Sequence, residues 1–127
     1  MFKKNHIYYQ FRKGEVTALH VETNKTLVKG CLALAHPRSL MGDFFAVQEC
    51  LISISKELIP KSIFSLAPVA VVHLLETSDG GYTNVEIRAF KEAVLGAGAR
   101  AVYFVDSPVL LKPFQIQSRD FKVLPNV

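Results

Sequence analysis

The stretch from Val69 to Val105 decides the fold, and it reads VAVVHLLETSDGGYTNVEIRAFKEAVLGAGARAVYFV. It begins and ends with short, uninterrupted apolar runs, which are typical of parallel strands that are covered on both faces. Between them, Thr83 and Glu86 fit a capping box at the start of a helix. The apolar residues of that helix recur at helical spacing and form its inward stripe: Ile87, Phe90, Val94 and Ala97. We therefore predict two parallel strands joined through a helix, with a right-handed crossover.

An earlier amphipathic helix is predicted on the amino-terminal side of this unit. Asp43 is a suitable N-cap, because its carboxylate can accept from free backbone N–H groups of the first turn. Pro60 ends the helix, since proline cannot continue the hydrogen-bond ladder. The buried stripe is expected at Phe44, Val47, Leu51, Ile54 and Leu58.

Three strands are predicted before the first helix, over residues 6–12, 16–23 and 26–35. Period-two alternation places Ile7, Tyr9 and Phe11 on one face of the first strand. The connections at Lys13-Gly14 and Asn24-Lys25 are short, so the three strands should form an antiparallel meander.

The predicted order is therefore β-β-β-α-β-α-β in one α/β domain that spans residues 1–127. A three-strand meander that leads into a β-α-β unit is the layout of the RNase H-like domain of actins, sugar kinases and Hsp70-type ATPases. Residues 109–127 carry Pro113 and Pro125, and the sequence leaves a short helix and an extended arm open there.

Composition excludes several classes of protein. Half of the 127 residues are hydrophobic, which is enough for a core, and the net charge is +4. The basic residues are scattered, so we expect no nucleic-acid partner. Residues 1–12 lack the apolar segment of a signal peptide, and a cytoplasmic location is expected. Met1-Phe2-Lys3-Lys4 offers one apolar anchor and two lysines, which is a weak basis for membrane contact.

The polar residues form no recognisable metal or nucleophile pattern. Cys31 and Cys50 lie in apolar runs and are expected to be buried small hydrophobes rather than ligands or a disulfide. The four histidines share no spacing, and His73, inside an apolar strand, is expected to be a hydrogen-bonded core residue. No metal site and no cofactor are predicted from these residues.

Two stretches resemble the MreB family, the bacterial actins of rod-shape determination. Met41-Gly42-Asp43-Phe44-Phe45 is similar to the I-A-D-F-F helix start of that family. Residues 83–108, which begin Thr83-Asn84-Val85-Glu86, are similar to its segment T-x-V-E-R-R-A … G-A-G-A-R-x-V-x-L-I-E-E-P. The resemblance implies an RNase H-like, actin-like half domain equivalent to subdomain IA, without the inserted subdomain and without the second half of the actin fold.

The same resemblance indicates where remnants of an ATPase site would lie. Glu86 matches the acidic residue that orients the attacking water, and Thr83 matches the threonine before it; a capping box needs the same two residues, and we favour that interpretation. Asp79, Gly80 and Gly81 could bind an anion near the helix N-terminus, or form an ordinary turn. The hairpin that would cradle phosphate lacks the Asp-x-Gly-Thr pattern and carries Phe11 and Arg12 instead.

The sequence thus predicts a non-catalytic, MreB-like interaction domain that associates with a protein partner, with a homodimer as the expected form. Its process would be a bacterial cytoskeletal, envelope or pilus system. ATP and magnesium are disfavoured as ligands, because positioning from both halves of the cleft supplies most of the catalysis of phosphoryl transfer. The alternative is a nucleotide-binding or ATP-hydrolysing half-site that dimerisation completes.

Overall fold

A computed structural model of the chain describes residues 5–35, 41–59, 67–76 and 82–125. Five strands form one mixed sheet in the order β3-β2-β1-β4-β5. The first three are antiparallel neighbours, whereas β4 pairs in parallel with both β1 and β5. The strands are β1 (His6–Arg12), β2 (Glu15–His20), β3 (Lys25–Gly30), β4 (Val69–Leu74) and β5 (Ala101–Phe104).

Two long helices begin at the caps that the sequence predicts. In α1 (Phe44–Leu58), the side chain of Asp43 accepts from the backbone N–H of Ala46 at 3.2 Å. In α2 (Asn84–Gly96), the hydroxyl of Thr83 accepts from the N–H of Glu86 at 3.1 Å. The third helix, α3 (Pro113–Ser118), is short and starts with proline at a position where no N–H is needed. The small α/β domain expected from the sequence is confirmed at this level.

Each face of the sheet has its own apolar core. Ile7, Tyr9 and Phe11 lie on one face, as the alternation predicts, and both α1 and α2 pack on that face. Their buried stripes follow the helical period: Val47, Leu51, Ile54 and Leu58 in α1, and Ile87, Phe90, Ala93 and Val94 in α2. The opposite face is covered around Tyr8 and Val71 by Leu111 and the α3 residue Ile116. The sheet is therefore a central layer between helices.

A buried hydrogen-bonded chain fixes the carboxy-terminal segment to this second face. The Nε2 of His73 lies 2.7 Å from the carbonyl oxygen of Ser107, which can only accept, so Nε2 carries the proton. The Nδ1 atom then accepts from the hydroxyl of Tyr8 at 2.6 Å. The N–H of Leu111 donates to the Tyr8 oxygen at 3.1 Å. His73 is thus a hydrogen-bonded core histidine, as expected. Of the two conformations that the sequence leaves open for residues 109–127, the structure shows the short helix, α3.

The third predicted strand is wrong beyond Gly30. The apolar run that follows does not remain extended but forms a 3-10 helix over Leu32–Leu34. The reason is that its neighbour β2 begins at Glu15, so no strand remains for pairing. The chain instead turns over the β1–β2 hairpin, where Gly14 adopts a φ of 76° and donates its N–H to the carbonyl of Leu34 at 3.1 Å.

Candidate functional site at the carboxyl ends of the parallel strands

Both long helices begin at one end of the sheet. The helix α2 starts after the carboxyl end of β4 and ends before the amino end of β5. The amino end of α1 lies beside the 3-10 helix, where Gly42 donates to the carbonyl of Ala33 at 2.8 Å. That 3-10 helix contacts the β1–β2 hairpin at Gly14. The carboxyl ends of β1 and β4, the hairpin and two helix N-termini therefore share one end, and ligands commonly bind there in α/β sheets.

The turn of the β1–β2 hairpin is held by the protein itself. The N–H of Lys13 donates to Oε1 of Glu76, just after β4, at 2.5 Å, and the N–H of Gly14 donates to Leu34. Two residues before Lys13, the ring of Phe11 is fully buried and packs on Phe90 with 4.8 Å between ring centroids. Two backbone donors that could hold an anion are thus already occupied, one of them by a carboxylate.

Tyr82 links this turn to the start of α2. Its hydroxyl donates to the carbonyl oxygen of Glu76. Burial, followed by the negative charges of Glu86 and Glu76, raises the pKa of Tyr82 to about 12. The phenol therefore stays protonated at physiological pH and acts as a hydrogen-bond donor between the two carboxylate-bearing segments.

The predicted site residues are only partly brought together. Thr83 and Glu86 lie at this end, and the hydroxyl of Thr83 caps the helix through the N–H of Glu86. Asp79, Gly80 and Gly81 fall outside the described residues. Among the residues that the structure describes, no cluster of three or more histidine, cysteine, aspartate or glutamate side chains is placed to hold a metal ion. The contact between Thr83 and the N–H of Glu86 shows a capping role for the Thr83 hydroxyl.

Apolar side chains project into solvent at the same end. Leu32 is 92% exposed, Phe45 is 74% exposed and Val85 is 81% exposed. We call these three residues the carboxyl-end apolar set. The sequence interpretation missed them, although helical spacing places Phe45 and Val85 off the buried stripes of α1 and α2. Exposed apolar residues grouped at one end of a domain are typical of a surface that another protein covers.

A second polar cluster lies at the opposite end of β1. Nδ1 of His6 is 2.6 Å from Oε2 of Glu22, and the His6 N–H donates to Oε1 at 2.7 Å. His20 is buried and contacts the side chains of Asn5 at 2.8 Å and Thr23 at 2.7 Å. Burial lowers the pKa of His20 despite the nearby Glu22. The turn after β2 brings together residues that share no spacing in the sequence, so no sequence signal could have found this cluster.

The two cysteines are thiols in the helix-covered core. Cys31 is buried and Cys50 is half-buried. Burial and the adjacent Cys31 thiol raise the pKa of Cys50 to about 11. A thiol with so little thiolate is a poor nucleophile, which agrees with the expected role as a small hydrophobe.

Among the described residues, no helix is both long and apolar enough to cross a bilayer. Over 96 residues the chain is 32% identical to the "Uncharacterized protein YjaA" of Escherichia coli strain K12, and the match covers 72% of this chain and 75% of that protein. No protein-family model matches the chain.

Proposed function

The chain belongs to the family of the Escherichia coli protein YjaA, and on that premise we propose that it is a non-catalytic protein-interaction domain. In this proposal the domain has the architecture of one half of an actin-type clamp. It associates with a second copy through the end of the sheet that carries the carboxyl-end apolar set. The process would be a bacterial cytoskeletal or envelope system.

Strand topology supports the actin-type, RNase H-like part of the proposal. A three-strand antiparallel meander continues into two parallel strands, β4 and β5, each reached through a helix. The resemblance to MreB requires this arrangement of strand directions, and antiparallel pairing of β4 with β5 would have excluded it.

The non-catalytic part rests on the contact between Glu76 and Lys13. A phosphate-binding hairpin of an actin-like ATPase offers free backbone N–H groups, whereas the Lys13 N–H donates to the Glu76 carboxylate at 2.5 Å. A phosphate would have to displace this carboxylate and would meet its negative charge at close range. The Glu76–Lys13 contact therefore favours a structural role for the β1–β2 turn over phosphate binding.

Self-association is supported by the residues that this end exposes. Leu32, Phe45 and Val85 leave most of their apolar area in water, and covering such area is the main favourable term in protein association. Covering this end by another copy would remove all three side chains from water.

Light scattering coupled to size exclusion tests the proposal across a concentration series. The wild-type protein should approach twice the monomer mass of 14.1 kDa as concentration rises. Phe45→Glu should return it to monomer, because a buried charge opposes association. The matched control is Phe114→Glu on α3, at a side chain that is 61% exposed, which should leave the dimer intact. A wild-type monomer at every concentration would contradict self-association.

Calorimetric titration with ATP and magnesium distinguishes this proposal from the alternative, a nucleotide half-site that dimerisation completes. The proposal predicts no binding heat for the wild-type protein at a concentration where it is dimeric. Binding that Glu86→Ala abolishes would instead support the ATPase alternative and overturn the non-catalytic function.

A further inference from the structure

Among the described residues, no strand pairs with the outer edge of β3, and the hydrogen bonds around this edge show which backbone groups point outward. The N–H of Cys31 donates to the carbonyl of Gly14 at 2.8 Å, in the register that pairs Glu15 with Gly30. Residues of an antiparallel strand alternate between bonding inward and pointing outward. Lys25, Leu27 and Lys29 therefore bond to β2, whereas the backbone groups of Thr26, Val28 and Gly30 point away from the sheet.

The ladder between β1 and β2 gives the same assignment independently. The N–H of Val21 donates to the carbonyl of His6 at 3.0 Å, which directs the odd-numbered residues of β2 toward β1. The even-numbered residues then face β3, in agreement with the pairing of Ala18 with Leu27. Three residues of β3 thus offer both N–H and C=O groups to an incoming strand.

Two lysines mark this edge on the face that α1 covers. Lys29 Nζ donates to Oγ of Ser53 at 2.5 Å, and Lys25 Nζ donates to the carbonyl oxygen of Glu57 at 3.2 Å. Ion pairs of the described residues involve neither lysine. Ser53 and Glu57 also line a shallow depression on the outer side of α1, together with Glu49, Ile52 and Lys56. Each ammonium group is therefore fixed in position by a neutral acceptor.

We propose that the β3 edge binds an extended acidic segment of another protein as a sixth strand, with two carboxylates of that segment on Lys25 and Lys29. Strand addition to an open edge obtains affinity from main-chain hydrogen bonds and selectivity from alternate side chains. The inference goes beyond the proposed self-association, because β3 and the carboxyl-end apolar set are different surfaces.

Charge excludes a second copy of this chain as the added strand. Antiparallel self-pairing that matches the two faces and pairs most of β3 is centred on Leu27 or on Val28. Pairing centred on Leu27 places Lys25 directly opposite Lys29 of the other copy, and pairing centred on Val28 places these two lysines diagonally. Either arrangement brings four ammonium groups together on one face, and like charges across a strand pair are destabilising. Edge lysines commonly prevent self-pairing in this way. Opposite charges across a strand pair are stabilising, so the same two lysines favour an acidic strand.

The geometry also sets the sequence that the segment needs. Lys25 and Lys29 are four residues apart on one face, so the carboxylates should also be four residues apart. On the other face, Val28 is 56% exposed and can be covered by an apolar side chain of the added strand. A segment with β-branched residues between two glutamates satisfies both requirements.

Fluorescence anisotropy with two labelled seven-residue peptides, GEVTVEG and GKVTVKG, tests the inference at low salt. Wild-type protein should bind the glutamate peptide about tenfold more tightly than the lysine peptide, the effect expected of two exposed ion pairs. The double substitution Lys25→Glu and Lys29→Glu should reverse that preference. Equal binding of both peptides by the wild-type protein, or an unchanged preference in the double variant, would overturn the proposal.

A backbone variant separates strand addition from simple charge attraction. The Val28 N–H points outward, so Val28→Pro removes a donor to the added strand without removing a bond to β2. It should abolish peptide binding, whereas the control Val28→Thr keeps the N–H and should retain it. Equal binding by the two variants would contradict strand addition. If Val28→Pro does not fold, the charge-reversal result decides alone. Light scattering of Val28→Thr should show an unchanged dimer. This measurement tests the proposed self-association separately, so that its failure is not confused with failure of strand addition at β3.

Discussion

The Oε1 atom of Glu76 lies 2.5 Å from the backbone nitrogen of Lys13, so a carboxylate just after β4 closes the turn between β1 and β2. Glu76→Ala should lower the free energy of unfolding by about 1 kcal/mol, because it removes an exposed, charge-assisted hydrogen bond. Glu76→Gln keeps an acceptor oxygen and should lose less than half of that. Urea denaturation measures both, and equal losses in the two variants would show that the acceptor is not responsible.

The Tyr8 hydroxyl joins His73 to the N–H of Leu111 in the buried second core. Tyr8→Phe leaves the Nδ1 of His73 and the N–H of Leu111 without this partner and should lower the free energy of unfolding by about 2–3 kcal/mol. The matched control is Tyr103→Phe, at a half-exposed ring that packs against Arg119 at 4.8 Å, which should change stability by less than about 0.5 kcal/mol. Similar effects of the two substitutions in chemical denaturation would contradict this role of the Tyr8 hydroxyl.

Acidification should destabilise the protein in two steps. Burial lowers the pKa values of His20 and His73 from 6.5, so the unfolded chain binds protons first and stability falls as pH drops below about 6.5. Burial alone would raise the pKa of Glu22, but hydrogen bonds from His6 and Gln117 outweigh it and lower the pKa below 4.5. The stability that Glu22 contributes is therefore present above 4.5 and is lost as pH falls through its lower folded pKa.

The midpoint of urea unfolding, measured from pH 7.5 to pH 3.5, tests the predicted loss of stability on acidification. His20→Asn should flatten the profile between about pH 6.5 and pH 5, and Glu22→Gln should flatten only the part below about pH 4.5. A wild-type midpoint that stays constant or rises on acidification from pH 7.5 to pH 5 would show that the histidines are not held neutral by burial.

The half-buried Cys50 thiol should react slowly in the folded protein. With a pKa of about 11, it has roughly one thiolate per thousand thiols at pH 8, about 100-fold less than an ordinary cysteine of pKa 9. Alkylation by iodoacetamide, followed by mass spectrometry, should therefore accelerate about 100-fold when urea unfolds the chain. Cys50→Ser identifies the signal, and rapid modification of native Cys50 would contradict the raised pKa of this half-buried thiol.

Local sequence signals predicted the parts of the fold that depend on local chemistry. Continuous apolar runs located β4 and β5, and Asp43 and Thr83 marked the helix starts, because burial on two faces and helix capping act within a few residues. The end of β3 was not predictable in this way. It depends on where β2 begins, and an apolar run alone cannot distinguish an extended strand from a 3-10 turn.

The candidate site depends on contacts between distant parts of the chain. Glu76 and Lys13 are 63 residues apart, and only the parallel pairing of β1 with β4 brings them together. His6 and Glu22 meet in the same way across the turn that follows β2. Thr83 and Glu86 could be identified from the sequence because a helix cap is local. The exposure of Leu32 could not, because it depends on the 3-10 helix that the structure has in place of the predicted strand.

Amide NMR spectra of the protein test the central claim, that this end of the sheet is closed to phosphate and open to protein. The resonances of Phe45 and Val85 should shift with protein concentration, since the second copy covers them. The resonances of Lys13 and Gly14 should stay unchanged when ATP and magnesium are added, since Glu76 and Leu34 already accept from them. Concentration-independent spectra combined with nucleotide-induced shifts at Lys13 and Gly14 would contradict the account.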